Sequence, residues 1–293
     1  MLKLNGVLAV AVLLLSVTTN SVAQERDEFG YNPNSLRPIH NDDQLFKKTL
    51  WFRMDLKEKQ NKAFFARNME ITKVIIDAVK AGILRPYNSD SLQTRMSFEQ
   101  FTQNLTQPGQ DTGLSEEEKA MGFGESDDGW GGGGDAWGDG KEGEGDAGGD
   151  KAAASNEYFP KQFTILEIKE DLIFDKKRSR MYHDLQAISI YLPADQNPAG
   201  VEKLLASFSY KELVENVFRD NPNAIWYNNQ NPKEHRTLEE AFELRLFAAH
   251  LTKYANSEDN TIDDVYGVGK SSIVMSMQLE HGLVEYESDF WEN

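Results

Sequence analysis

The sequence predicts an α+β protein of short antiparallel strands packed with helices, interrupted by a disordered Gly/Asp-rich insertion. Three observations carry that expectation. Leu50, Phe52, Met54 and Leu56 alternate with other residues, and QFTILEIKEDLIF and MYHDLQAISIYLP add β-branched and aromatic runs, which is strand patterning. Ile71, Val74, Ile75, Ala78 and Val79 recur at helical spacing. Between the patterned parts lies MGFGESDDGWGGGGDAWGDGKEGEGDAGGD, Met121 to Asp150, which holds most of the 22 glycines and nothing that buries a core.

The chain opens with Lys3, an apolar run from Val7 to Leu15 and a small-residue site, Ser21-Val22-Ala23. That is the form of a secretory signal peptide over 1–23, since the run falls short of the roughly 20 residues that span a bilayer. Residues 24–41 are polar, with two prolines and no period, and read as an extended leader. A first α+β lobe is expected over 42–106. It opens with a short helix from Asp42, then the Leu50 to Leu56 strand, and KEKQNK at 57–62 turns the chain. The helix from Ile71 ends near Gly82, where glycine supplies the left-handed cap. Ile83 to Tyr87 exits extended, and Ser97-Phe98-Glu99-Gln100 has capping-box form.

Residues 107–156 are low in complexity and read as a solvated acidic linker, because such a composition does not repay the entropy of ordering, about 1 to 2 kcal/mol per residue for backbone alone. The second lobe, 157–293, starts with the two apolar runs around DKKRSR, expected as a two-stranded antiparallel pair with a basic turn. Ser209 to Glu212 is expected to cap a helix reaching about Phe218, and an Asn/Pro-rich loop carries Trp226. Thr237 to Glu240 is a second capping box, opening what reads as one buried helix through LEEAFELRLFAAHLTKY. The chain closes in a helix whose terminal Phe290 and Trp291 pack back. The two halves form either two lobes or one compact body.

Charge and composition restrict function. Net charge is −17, yet between Asp111 and Lys151 thirteen acids face three lysines, so the folded parts are only mildly acidic. Nucleic-acid affinity rests on Lys and Arg at phosphates, so a chain without a long basic stripe argues against nucleic acid. There are no cysteines, hence no disulfide, thiolate metal site, thiol nucleophile or cysteine-borne lipid.

The Gly/Asp stretch invites three ligand readings, and its spacing supports none. The nine-residue G-G-x-G-x-D calcium repeat does not recur in phase. The twelve-residue EF-hand ligand order is missing. A phosphate loop needs a strand before it and a helix after it. A solvated tether is the better account, with weak cation binding or a partner that reads Trp130 and Trp137 as the sharper alternative. The five histidines are isolated from one another. His183, in a strand beside Asp184, and His250, on the expected buried helix, read as structural imidazoles rather than metal ligands. No G-x-S-x-G elbow occurs. Glu170-Asp171 and Asp263-Asp264 are pairs that an acid-rich chain produces by chance, and strand neighbours point to opposite faces. No catalytic, metal or cofactor-binding residue is therefore expected.

The basic turn is the one local charge reversal. Lys176, Lys177, Arg178 and Arg180 are either a solvated hairpin tip or an electrostatic docking edge. Trp226 and Trp291 are candidate aromatic docking anchors, with a core role for Trp291 equally open.

The stretches FTILEIKEDLIFDKKRSRM, LWFRMDLKEKQNKAFF, SYKEL, RTLEEAFELRLF and VEYESDFWEN resemble the GldN/PorN family of the Bacteroidetes type IX secretion and gliding machinery. KEDLIFDKKRSRM and YESDFWEN are the most specific parts, and the resemblance covers most of 40–105 and 160–293. It implies a non-enzymatic periplasmic component associated with the inner face of the outer membrane. The implied partners are a GldK/PorK-like lipoprotein, with which it forms a large ring, and the periplasmic part of a GldM/PorM-like motor protein. It implies no catalytic residues. Two rivals from other classes are a secreted hydrolase with an unrecognised carboxylate site and a calcium-dependent binding module.

Overall fold

The computed structural model of the chain describes residues 30–107 and 157–292, with the side chains of the last two outside that set. The expected signal peptide and most of the expected linker lie outside the described residues. Within them, five strands form one antiparallel sheet: β1 (Gln44–Asp55), β2 (Ile165–Asp175), β3 (Arg180–Leu192), β4 (Lys203–Ser209) and β7 (His250–Tyr254), in the order β4-β3-β2-β1-β7. A separate two-stranded ribbon pairs β5 (Ile225–Trp226) with β6 (Arg236–Thr237). The helices are α1 (Ile71–Lys80), α2 (Phe98–Leu105), α3 (Tyr210–Leu213, continued by a π turn over Val214–Phe218), α4 (Leu238–Glu243), α5 (Ile262–Tyr266) and α6 (Lys270–Glu292). The mixture is α+β, as the periodicities imply.

Register explains which face is core. Phe52 stands opposite Ile168 and Met54 opposite Leu166, and across the next ladder Ile168 meets Ile188 and Leu166 meets Ile190. These side chains form one apolar face, almost wholly buried beneath α1 and the turns around Phe64 and Phe218. Each fully buried aliphatic or aromatic side chain contributes about 1.5 to 3 kcal/mol, so this face is the main source of stability. The first sequence half supplies β1, which sits between β2 and β7 of the second half. The ends of the segment that separates the halves also meet, because Thr106 bridges Glu157 and the Tyr158 amide donates to Leu105 O at 2.8 Å.

Helix boundaries follow their local signals where these are strong. Ser97 and Gln100 make both bonds of the capping box at 3.2 Å. Gly82 has φ +72°, and the Ile83 amide reaches back to Ala78 O at 2.9 Å, so α1 ends in a Schellman cap.

Four expectations are corrected. The short helix at Asp42 is a single 3₁₀ turn, Asn41–Asp43, because β1 already begins at Gln44. β4 is a strand where none was expected, since it is buried on both faces from Leu205 to Ser209 and carries no alternation. Ser209 ends that strand and makes no side-chain cap to α3. The long helix expected through Tyr254 stops at Glu243. Arg245 takes φ +50°, the Leu246 amide donates to Ala241 O at 2.9 Å, and the chain then becomes β7. Buried Asn61 compensates for the lost helical bonds: its amide nitrogen donates to Ala248 O and its oxygen accepts from the Ala248 amide, both at 2.8 Å. His250 is accordingly an exposed residue of β7, not part of a buried helix.

Candidate functional site

Two features stand out from the packed body: a cavity beside one half of β3, and the outer face of α6. β4 pairs with β3 only from Ala187 to Leu192, so Met181 to Gln186 have no strand neighbour on that side among the described residues. The segment 36–39 runs alongside this half-edge without a backbone bond to it among the described residues. Between them is a cavity of about 450 Å³ whose walls include Leu36, Ile39, Met181, Leu185, Tyr210 and Phe242.

At its margin Glu170 is fully buried on the core face of β2, between Ile168 and Leu172. His183 Nδ1 lies 2.8 Å from one carboxylate oxygen, and Arg245 Nη1 donates to the other at 2.5 Å. Because a carboxylate only accepts, His183 carries its proton on Nδ1. Burial alone pushes a carboxyl up. The hydrogen bond from His183 and the charge of Arg245 outweigh it and hold Glu170 below the ordinary carboxylate range. Arg245 also lies over the Phe52 and Phe247 rings, at 5.4 and 5.1 Å from their centroids. The left-handed turn at Arg245 thus brings a cation to a core carboxylate.

Asp171, the next residue, faces the other side of the sheet, where Thr49 Oγ1 donates to it at 2.6 Å and Lys47 Nζ stands at 3.1 Å. Asp184 lies across the ladder from Asp171. Burial pushes Asp184 up to about 6, with repulsion from Asp171 adding to the shift and the Gln186 amide opposing it. Glu170 and Asp171 each have two polar partners and open onto opposite faces, so they do not converge on one substrate position.

The basic turn is where the sequence put it, at the β2–β3 tip. Asp175, itself buried, organises it by accepting from the Lys177 amide at 2.8 Å and from Arg178 Nη1 at 2.7 Å. Burial would raise Asp175, yet these donors hold it low. Lys177 is paired with Asp43 at 2.6 Å. Lys176 and Arg180 are exposed and make no ion pair among the described residues, so they are the two unpaired charges of the tip. Arg178 also lines the β3 cavity. Trp226 stands apart from this group on the β5–β6 ribbon, half-buried against the core, with its indole N–H buried and unbonded among the described residues. The side chain of Trp291 lies outside the described residues.

α6 docks by one stripe, with Ser272 and Ser276 buried and Met275, Leu279 and Leu283 packed on the core. Glu280 on this side accepts from the Leu251 amide at 2.9 Å, which occupies a donor of the β7 edge. Near the end of the helix Phe290 stacks on Phe174 at 4.7 Å and contacts Phe46 at 6.0 Å. A flanking face, about 120° round the helix, carries Ile273, Met277 and Val284 at helical spacing, 53%, 65% and 65% exposed, with Val274 beside them. Sequence reasoning missed Glu170, Arg245, Tyr210 and this stripe. For Glu170 a signal was present, because the alternation Leu166, Ile168, Leu172, Phe174 places residue 170 on the core face.

Among the described residues no group of three or more His, Asp or Glu side chains is arranged to hold a metal, and no helix is long and apolar enough to cross a membrane. Compared with known proteins, residues 39–292 match the family model described as "Gliding motility associated protein GldN". No curated protein matches the chain.

Proposed function

Because the chain belongs to the GldN family, we propose that it acts as a non-enzymatic structural part of its machine and docks on protein partners on the periplasmic side of the outer membrane. Family membership makes it a component of the gliding motility and type IX secretion machinery. The partners in this reading are a ring-forming GldK/PorK-like lipoprotein and the periplasmic part of a GldM/PorM-like motor protein.

The observation that carries the docking reading is the outer face of α6. Scattered exposed apolar residues are ordinary, whereas aligned Ile273, Met277 and Val284 on one helix face, with Val265, Tyr266 and Val268 just before it, form a patch of the kind that partners cover. The carboxylates give catalysis less support, since Glu170 and Asp171 are each tied to two polar partners on opposite faces.

Co-purification tests this. The chain from Gln24 is expected to retain its cognate ring lipoprotein on a column. A double variant Met277→Asp, Val284→Asp is expected to lose it while keeping an unchanged Tm, because both side chains are mostly exposed. Failure of the unaltered chain to bind the lipoprotein would sink the reading, whereas full binding by the double variant would move the interface off α6.

The basic tip has its own test. Lys176→Glu with Arg180→Glu is the clean pair, since reversing Lys177 or Arg178 would also break their pairs with Asp43 and Asp175. If the tip steers association, this pair slows binding most at low salt. Equal rates at low and moderate salt would remove the tip from the interface.

A further inference from the structure

We propose that the cavity between segment 36–39 and the unpaired half of β3 is a binding site for an extended peptide, which adds to the strand edge and seats one apolar side chain in the cavity. Three independent observations meet there. The first is the edge itself: β4 stops pairing at Ala187, so among the described residues the backbone of Met181 to Gln186 has no strand on its outer side. Strand edges of this kind are the template for β-addition, in which main-chain bonds give affinity and pockets for alternate side chains give specificity.

The second is the cavity, at about 450 Å³ with largely apolar walls, within the range of a site that engulfs a ligand group. The third is Tyr210. It is 2% exposed, it lines this cavity, and its hydroxyl is buried without a hydrogen-bond partner among the described residues. A buried donor left unmet is costly, so native interiors rarely keep one. A peptide that runs along β3 brings backbone carbonyls, and one placed over Tyr210 accepts its O–H. An acceptor is what the hydroxyl lacks and an apolar side chain is what the walls suit, and an extended peptide supplies both along with partners for the strand edge.

The test uses the whole chain from Gln24 and an array of capped heptapeptides, each with a single central Leu, Ile or Phe flanked by Thr. Two readouts apply to any peptide retained: amide hydrogen exchange over 181–186, and affinity for the chain and for Tyr210→Phe. The expected result is slowed exchange in that stretch on binding, with affinity about tenfold weaker for Tyr210→Phe. That variant is expected to unfold at an unchanged or higher temperature, since it removes a donor with no partner. Peptides that leave 181–186 unprotected, or bind Tyr210→Phe equally well, would overturn the proposal and leave the hydroxyl to water. Protection already present without peptide, and abolished by removing residues 24–29, would assign the slot to the chain's own leader and overturn it too.

Discussion

Glu170 illustrates how one residue couples distant parts of this chain. It joins β2 to the turn after α4 through Arg245 and to β3 through His183. Removing a buried charge's partners is costly because the remaining charge keeps its desolvation without its compensation. Arg245 and His183 are each about a third exposed, which discounts the cost. Arg245→Met is therefore expected to lower stability by about 2 to 3 kcal/mol in urea unfolding, less than for a wholly buried pair, because it strips one partner from Glu170. The sign with pH follows from the lowered folded value of Glu170. Its contribution is present at neutral pH, begins to fade as pH drops through the ordinary carboxylate range, and is gone once pH passes below the folded value. A Glu170→Gln variant should lose that part of the acid dependence, and an unchanged acid limb would contradict it. Alternation along β2 made the buried position of Glu170 legible, whereas its partners were not, because Arg245 reaches it only through a turn that no glycine announces.

The same contrast holds for elements. α1 and α4 both end in Schellman caps, the first with Gly82 in the left-handed position and the second with Arg245. Glycine tells the reader where a helix ends. Arginine there does not, so apolar residues from Leu238 to Leu251 read as one continuous helix. What overrides helix propensity is tertiary: β1 offers an edge on which His250 to Tyr254 pair, and Asn61 satisfies both backbone groups of Ala248. Asn61→Ala is expected to cost roughly 1 to 3 kcal/mol, since it leaves the half-buried amide and carbonyl of Ala248 without their partner, and to speed hydrogen exchange first around 246–249. Uniform exchange rates in that variant would show that β7 holds the loop without Asn61. β4 escaped notice for a different reason, as burial on both faces erases the alternation that marks a half-buried strand. The β2–β3 hairpin and α2 were legible because their signals, alternation with a charged turn and a capping box, are local.

At the scale of the whole molecule, the strand order weaves the two sequence halves into one sheet, with β1 enclosed by β2 and β7. No local pattern gives such an order, which depends on pairings between residues far apart in sequence. The Gly/Asp-rich composition nonetheless marked the segment that joins the halves as one unable to build a core. Replacing residues 108–156 by a four-residue Gly/Ser turn is expected to leave a single cooperative thermal transition, because the flanking residues already meet. Broad or split unfolding would show that the segment is needed for the fold. The bridge between Thr106 and Glu157 has a practical corollary. Chain leaving the body at Gln107 re-enters beside its point of exit, so a compact reporter domain whose termini lie close together can be spliced in there without prising strands apart. A fluorescent protein carried at that position would show where the component sits in living cells.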